Sequence, residues 1–263
     1  MIRVALTIAG SDSSGGAGIQ ADLKTFAALG VYGTSAITAI TAQSTVGVVD
    51  AAVLSADLVT AQIEVVAGDI AIHAVKTGML GDAAVVEAVA AAIKELELPL
   101  LVVDPVLASS SGACLLDDDG VQMLCAELVP LARVVTPNVP EAEVLSGKRI
   151  QSEADLKDAA RRIHDMGAAA IIITGGHRVD RGQDAAEIVD TLFDGRNFSE
   201  FRTPRVGVAD THGTGCTFAA AVAAHLALGR PLADAAELAQ QYVAGAIHRS
   251  IAIGKGARVL GHL

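Results

Sequence analysis

Short apolar runs alternate with amphipathic stretches along the chain, which is the pattern of β-strands followed by α-helices. Residues 2–9 are a β-branched apolar run that stops at Gly10, as a buried strand does. The apolar positions from Ile19 through Leu29 recur at helical spacing and predict a helix. A polar, glycine-rich loop, residues 10–18, joins the two, so the chain opens with a strand, a loop and a helix.

The same alternation continues through the rest of the chain. Ser55 is placed to cap a helix that runs to about Gly68, and Asp82 opens another helix. Two weaker strands on either side of Asp194 and Gly195 predict a β-hairpin. The other predicted strands are 34–42, 71–76, 100–103, 133–135 and 168–174, the hairpin strands are 187–193 and 197–203, and further helices are predicted at 117–129, from Ser152 to Gly167 and from Pro231 to about Ile251.

Strands that alternate with helices predict a mostly parallel central sheet with helices on both faces. The composition agrees with this, because 263 residues with 52% hydrophobic content can bury one large core. No Pro/Ser-rich linker or change in composition divides the chain. We therefore predict a single three-layer α/β domain, residues 1–263.

Charge and cysteine content restrict the partners. The net charge of −11 and the pI of about 5.0 argue against binding to a nucleic-acid backbone, which needs basic surfaces. Asp69, Glu87 and His225 interrupt the apolar runs before any reaches the roughly 18 residues of a membrane span. Three cysteines without a C-x-x-C pair fit a reducing compartment. We expect a soluble cytoplasmic protein with no nucleic-acid or membrane partner.

The most distinctive stretch is the polar turn 210–216, which leads directly into the apolar helical segment 217–223. The first N–H groups of a helix have no partner within the helix, and the helix dipole adds partial positive charge there. Gly213 and Gly215 allow the main chain to approach an anion closely, and Thr214 adds a hydroxyl donor. The turn therefore predicts an anion site, the alternative being a purely structural turn.

Cys216 begins this helix, where the field of the helix should lower a thiol pKa below its free value of about 8.5. A thiol in this position can act as a base, a hydrogen-bond partner or a nucleophile. The alternative is a buried and inert cysteine.

Polar residues also follow several of the predicted strands. Because the carboxyl ends of parallel strands meet at one edge of a sheet, these side chains should gather beside the anion site. Together they suit phosphoryl transfer with Mg²⁺, which prefers a few carboxylates and phosphate oxygens. Neither a P-loop nor a dinucleotide-binding fingerprint is present. The residues are Asp12, Asp22, Gln43, Asp104, Asn138 and Glu141. Two of them also have a purely structural explanation. Asp104 would then end a strand, and Glu141 would form a helix cap together with Asn138.

Three motifs, residues 9–25, 136–141 and 211–216, strongly resemble those of the hydroxymethylpyrimidine and phosphomethylpyrimidine kinases of thiamine biosynthesis. These kinases are a branch of the ribokinase-like superfamily, and the similarity runs from about residue 2 to Gly256. The resemblance implies a three-layer ribokinase-like fold and phosphorylation of 4-amino-5-hydroxymethyl-2-methylpyrimidine, then of its monophosphate, by ATP with Mg²⁺. It also implies a homodimer, because such proteins are commonly dimeric.

The resemblance further implies a role for each matching residue. Cys216 occupies the position at which ribokinase has an aspartate base. The implied pyrimidine pocket is Gly10, Asp22, Gln43, Met79 and Val106; the anion hole is Gly213, Thr214, Gly215 and Cys216; the metal ligands are Asp104 and Glu141; and the contacts to ATP and phosphate are Asn138, Thr174, Thr211 and Lys255.

The chain departs from the family pattern at Thr174 and Ser110, where many relatives have lysine. Both changes remove positive charge near the phosphates, so we expect the second phosphorylation to be the weaker step. Our hypothesis is that Arg178, Arg181 or Lys255 partly substitutes. The polar segment 178–186 is a candidate loop over ATP. A pyridoxal or pyridoxine kinase and a non-catalytic pyrimidine- or nucleotide-binding sensor are the competing functions.

Overall fold

A computed structural model describes residues 2–109, 112–177, 186–207 and 211–263. Eleven strands and eight α-helices lie in these ranges. In chain order they are β1 (Val4–Asp12), α1 (Gly18–Ala28), β2 (Tyr32–Ser44), β3 (Gly47–Val53), α2 (Ala56–Asp69), β4 (Ala74–Thr77), α3 (Ala83–Glu95), β5 (Leu101–Val103), α4 (Asp118–Met123), β6 (Val134–Val135), α5 (Val139–Ser146), α6 (Glu153–His164), β7 (Ile171–Ile173), β8 (Glu187–Phe193), β9 (Phe198–Pro204), β10 (Thr211–His212), α7 (Thr214–Ala227), α8 (Leu232–His248) and β11 (Arg258–Val259).

Nine of the strands form one sheet in the order β3-β2-β1-β4-β5-β6-β7-β8-β9. Strands β2, β1 and β4 to β7 are mutually parallel, whereas β3, β8 and β9 are antiparallel additions at the two edges. The predicted mostly parallel sheet and the 187–203 hairpin are confirmed. Strand β3 and the short β10–β11 pair are not among the sequence predictions.

Helices cover both faces of this sheet, as predicted. Along β5 the side chains alternate, so Leu101 and Val103 belong to one core and Val102 to the other. The first core lies beneath α2, α3, α5 and α6, and the second beneath α1, α7 and α8. All residues of α7 from Thr217 to Ala227 are buried, and most of them are alanines, which allow α1 and α8 to pack closely against it.

The predicted helix caps are present. The side chains of Ser55, Asp82 and Ser152 each accept a hydrogen bond from the backbone N–H three residues later. Asn138 and Glu141 form a reciprocal capping box at the start of α5. The helix predicted at 117–129 begins at Asp118 and continues through a π-helical turn at Leu124–Leu128. None of the helices in the described ranges combines the length and the apolar character that a membrane crossing requires.

The last residues of the chain pack between α1 and α8 through a buried imidazole. His262 Nδ1 lies 3.2 Å from Tyr242 Oη and 3.4 Å from Thr25 Oγ1. Burial, together with the positive charges of Lys24 and Arg249, lowers the pKa of His262 to about 4. The imidazole is therefore neutral in the folded protein at neutral pH.

The buried imidazole predicts a pH-dependent contribution to stability. Because the folded pKa of about 4 lies below the ordinary 6.5, this contribution is complete above pH 6.5 and is lost as the pH falls towards 4. The loss should reach about 3 kcal/mol. Urea unfolding from pH 7 to pH 4 should therefore show a weaker pH dependence for His262→Gln than for the parent. His248→Gln, at an exposed position of α8, is the control. Parallel curves for the parent and His262→Gln would contradict the prediction.

Candidate active site

The parallel strands bring their carboxyl ends to one edge of the sheet, and the predicted functional residues follow those ends. Strand β1 ends at Asp12, β4 at Thr77, and β5 directly before Asp104. Asn138 follows β6 and pairs with Thr174, which follows β7. The edge therefore carries the residues that the sequence predicts to bind a ligand.

A buried ammonium lies at the centre of this edge. Lys76, on β4, is 0% exposed, and its Nζ lies 3.0 Å from Asp22 Oδ2 and 3.6 Å from Asp104 Oδ2. Thr7 Oγ1 also donates to Asp22 Oδ2, at 2.6 Å. An ideal Cβ on Gly78 would lie 2.7 Å from Lys76 Nζ, so a glycine leaves room for the ammonium. Lys76 is not among the site residues predicted from the sequence. A lysine within an apolar strand was nevertheless a recognisable sign of a buried charge.

Burial controls the protonation of this cluster. It raises the pKa of both Asp22 and Asp104, and the Lys76 ammonium only partly opposes it. Burial alone would lower the pKa of Lys76, but the neighbouring acidic groups, chiefly Asp22, raise it above its ordinary value. Asp22 Oδ1 and Asp104 Oδ2 have no hydrogen-bond partner among the described residues. These oxygens retain the capacity to bind a donor or a cation.

Cys216 belongs to the same cluster. The thiol and the Asp104 carboxyl group affect each other's pKa, and the backbone N–H of Gly18 also acts on the thiol. Burial raises the pKa of Cys216 to about 12, and the charges of Asp104 and Asp22 add to this while Lys76 opposes it. The prediction of a lowered pKa at the helix start was wrong, because loss of water around the thiol outweighs the helix field. The thiol is protonated at neutral pH.

The turn before α7 enters the helix through a glycine. Gly213 is the N-cap residue with a φ of +90° and carries no capping side chain of its own. An ideal Cβ on Gly213 would lie 1.9 Å from the carbonyl oxygen of Gly16, so only glycine fits. Around Gly215, by contrast, no heavy atom lies within 4 Å of an ideal Cβ apart from its chain neighbours and the adjacent backbone of α7. Open space therefore adjoins the first N–H groups of the helix.

Gly10 and Met79 contact each other beside this turn. The β1–β2 register shifts between Ala9 and Ser11, so Gly10 occupies an irregularity in the strand. An ideal Cβ on Gly10 would lie 3.0 Å from Met79 Sδ. Val106 is half-buried two residues after Asp104 and donates its N–H to the carbonyl oxygen of that residue. Three of the predicted pocket residues are thus placed at the same sheet edge.

Gln43 lies in a network with Asp12 and His212. Gln43 Nε2 lies 3.0 Å from His212 Nε2, which in turn lies 3.0 Å from Asp12 Oδ2. Burial alone would raise the pKa of Asp12, but hydrogen bonds from His212, Ser14 and Ala17 hold it well below its usual range. Asp12 is therefore ionised. The predicted pyrimidine pocket and the anion turn are linked through this carboxylate.

Glu141 forms the helix capping box weighed from the sequence, and its role as a metal ligand stays a prediction. Its carboxylate accepts the Asn138 N–H at 2.8 Å, and its own N–H donates to Asn138 Oδ1 at 2.9 Å. Burial, and then the charge of Asp104, raises the pKa of Glu141 to about 8. A divalent cation near Asp104 and Glu141 would offset their repulsion, so the pair fits Mg²⁺. No group of three His, Cys, Asp or Glu residues suited to a metal occurs in the described ranges, so other ligands would have to complete such a site.

The remaining candidates are less enclosed. Thr211 is half-buried and pairs with Arg258 in the β10–β11 ladder. Lys255 is exposed in the loop before β11. In this loop the N–H of Gly256 donates a hydrogen bond to Thr45 Oγ1. Ser110, Arg178, Arg181, Asp210 and segment 178–185 lie outside the described residues, so predictions about them remain predictions.

Comparison with known proteins agrees with this geometry. A family model described as phosphomethylpyrimidine kinase matches residues 12–260. A hydroxymethylpyrimidine/phosphomethylpyrimidine kinase of Haemophilus influenzae is 44% identical over 261 residues, which are 99% of this chain and 97% of that protein. A thiamine biosynthesis bifunctional protein of Geobacter sulfurreducens is 46% identical over 98% of this chain, although the chain spans only 52% of its length. Among solved structures, an ADP complex of Bacillus subtilis pyridoxal kinase matches with a TM-score of 0.90 at 38% identity, covering 100% of this chain and 98% of that one.

Proposed function

This chain belongs to the phosphomethylpyrimidine kinase family, and on that premise we propose that it is an ATP-dependent kinase of thiamine biosynthesis. It phosphorylates 4-amino-5-hydroxymethyl-2-methylpyrimidine and then the monophosphate, as one ribokinase-like domain, residues 1–263, in the cytoplasm. The observation that carries the proposal is the convergence of Lys76, Cys216 and Glu141 on Asp104, beside the glycine N-cap of α7. A heteroaromatic alcohol and a phosphoryl group need such adjacent polar and anion-binding sites.

Positioning and charge neutralisation account for most of the rate enhancement in phosphoryl transfer. The N–H groups at the start of α7, from Thr214 to Cys216, face the charge that develops on the transferred group. Cys216 removes the hydroxyl proton late in the reaction. Because the thiol is protonated at neutral pH and is coupled electrostatically to Asp104, it passes its own proton to that carboxylate as it accepts the new one.

We propose that Asp104 and Glu141 bind Mg²⁺, with phosphate oxygens and water completing its coordination. The support is Asp104 Oδ2, which has no hydrogen-bond partner among the described residues and lies 3.6 Å from Lys76 Nζ, together with the pKa of Glu141, raised to about 8. When bound, Mg²⁺ neutralises phosphate charge. Asn138, Thr174, Thr211 and Lys255 are proposed to contact ATP and its phosphates. Gly10, Asp22, Gln43, Met79 and Val106 are proposed to form the pyrimidine pocket.

A coupled ADP-release assay tests the proposal. The pyrimidine alcohol, its monophosphate and pyridoxal are compared side by side, each with and without Mg²⁺. We expect Mg²⁺-dependent turnover of the alcohol, and slower turnover of the monophosphate because Thr174 carries no charge. The similarity to a pyridoxal kinase makes pyridoxal phosphorylation the second candidate function. Faster turnover of pyridoxal would favour that function, and pyrimidine binding without ADP release would identify a sensor.

Alanine substitutions at Gly213 and Gly215 distinguish effects on folding stability from effects on turnover. Gly215→Ala should leave the free energy of unfolding unchanged or raise it by up to about 1 kcal/mol, because alanine favours a helix and the space is open. The added methyl group should nevertheless lower kcat about tenfold by impeding approach of the phosphoryl group. Urea unfolding and ADP release measure the two effects. Gly213→Ala, which clashes with Gly16, should lower both quantities. Unchanged turnover in Gly215→Ala would contradict the anion site.

We propose that the protein is a homodimer that pairs through strand β3. This edge strand carries the exposed valines Val49, at 86%, and Val53, at 40% exposure, and Val46, at 68%, lies in the turn directly before it. An apolar exposed edge is a common pairing surface. Sedimentation equilibrium should give a dimer for the parent and a monomer for Val49→Asp. The control is Val144→Asp, on α5 and 54% exposed. A monomeric parent protein would overturn the proposal.

A further inference from the structure

We propose that Asp12 and His212 are positioning residues that fix the orientation of the Gln43 side-chain amide and thereby the selectivity of the pyrimidine pocket. The donors and acceptors of the network that joins Gln43, His212 and Asp12 determine this orientation. The proposal rests on the proposed function only for the identity of the ligand that Gln43 binds.

The surroundings of Asp12 determine which nitrogen of His212 carries a proton. Asp12 Oδ1 accepts the backbone N–H and the hydroxyl of Ser14, both at 2.8 Å. Asp12 Oδ2 accepts the N–H groups of Gly16 at 3.0 Å and Ala17 at 2.8 Å. A carboxyl group surrounded by these donors is an ionised acceptor. The His212 nitrogen 3.0 Å from Oδ2 must therefore carry a proton, which makes Nε2 a donor.

The proton on His212 in turn determines which end of the Gln43 side-chain amide faces the imidazole. With its Nε2 placed 3.0 Å from the protonated Nε2 of His212, two donors would face each other. At the other end of the amide, Thr41 Oγ1 would have to give its single proton both to the carbonyl oxygen of Ser11 at 2.9 Å and to Gln43 Oε1 at 3.1 Å. Exchanging the two ends of the amide removes the donor–donor contact and leaves the Thr41 proton for Ser11. The single Nε2 proton of His212 is then shared between Asp12 Oδ2 and Gln43 Oε1, each 3.0 Å away, and Gln43 Nε2 donates to Thr41.

The orientation of this amide determines what it offers a ligand. One N–H of Gln43 and one lone pair of its oxygen are not used by the network, and they are directed from opposite ends of the amide. An aminopyrimidine presents a matching pair, an exocyclic amino donor beside a ring-nitrogen acceptor. If the amide were reversed, the same two groups would be offered in the opposite order. Pyridoxal lacks the amino donor, so a fixed amide favours the aminopyrimidine.

The same contacts connect the amide with the anion turn. His212 directly precedes Gly213, and an ideal Cβ on Gly16 would lie 2.7 Å from His212 Cδ2 and 3.0 Å from Val259 Cγ1. The glycine at position 16 therefore allows the imidazole to lie between Asp12 and Gln43. A methyl group there would displace the ring without changing any charge.

Two variants test the consequence for selectivity. His212→Gln replaces the imidazole with a flexible amide that can present either its oxygen or its N–H and so no longer fixes the direction of the hydrogen bond to Gln43, and Gly16→Ala displaces the ring. Each should raise KM for the pyrimidine alcohol about tenfold, the effect expected for one lost hydrogen bond to a ligand-binding group, while KM for ATP changes much less. The ratio of kcat/KM for the alcohol to that for pyridoxal should fall in both variants. His248→Gln is the control for the first. If neither variant changes either quantity, the proposal is overturned.

The imidazole spectrum gives a second test that needs no activity. In protein labelled with ¹⁵N-histidine, His212 is assigned by the signals that disappear in His212→Gln. We expect its Nε2 to be protonated in the parent at neutral pH. In Asp12→Asn a smaller fraction of the protein should carry the proton on Nε2. An Nε2 that lacks a proton in the parent would overturn the proposal. If the protein phosphorylated none of the three substrates but His212 showed the expected tautomer, the proposed function would fail while the orientation of Gln43 would stand.

Discussion

Lys76→Met is expected to destabilise the protein by about 3–5 kcal/mol, the cost typical of removing one partner from a buried ion pair. The reason is that Asp22 and Asp104 would lose the only ammonium within 4 Å of them among the described residues. All three side chains are almost fully buried, so water does not replace the lost partner. The free energy of unfolding in urea at neutral pH measures the effect.

A matched control is available on α3. Lys94 forms an ion pair with Glu127 at 2.8 Å, but both side chains are more than 40% exposed. Lys94→Met should therefore change stability by less than about 1 kcal/mol. The double variant of Lys76→Met with Asp22→Asn should recover part of the loss, because one unpaired buried carboxylate is removed. A loss no greater than that of Lys94→Met would show that the buried charges are compensated in another way.

Cys216→Ala should lower kcat about a hundredfold, or roughly 3 kcal/mol, while leaving the protein folded. The variant loses both the group that removes the hydroxyl proton and the interaction of the thiol with Asp104. Cys216→Ser should retain part of the activity, because a hydroxyl group can also accept a proton and pass its own to a carboxylate. Single-turnover kinetics with the pyrimidine alcohol would separate the chemical step from product release.

The other cysteines provide the controls for this experiment. Cys114 is exposed and Cys125 is half-buried, and alanine at either position should leave kcat unchanged. Circular dichroism and urea unfolding should show that Cys216→Ala remains folded, with a change in stability within about 1 kcal/mol. Near-normal turnover in Cys216→Ala would remove the proposed proton-transfer role and leave the helix N–H groups as the main catalytic feature.

Local sequence signals predicted most of the fold. The caps at Ser55 and Asp82, the capping box of Asn138 with Glu141, and the hairpin around Gly195 depend on contacts between residues close in sequence. Strand β3 was missed because its residues are largely exposed at a sheet edge and show no inward-facing alternation. The β10–β11 pair was missed because it joins residues far apart in the chain through two residues in each strand.

The sequence alone therefore determined the order of the elements, the parallel sheet and the loops that carry the polar residues, because hydrophobic periodicity and capping are local properties. Only the tertiary structure decided the electrostatics of the site. It placed Lys76 between two buried carboxylates, and it raised the pKa of Cys216 where helix position alone predicted a fall. The physical reason is that loss of water and the distance between charges depend on residues distant in sequence, which no local pattern records.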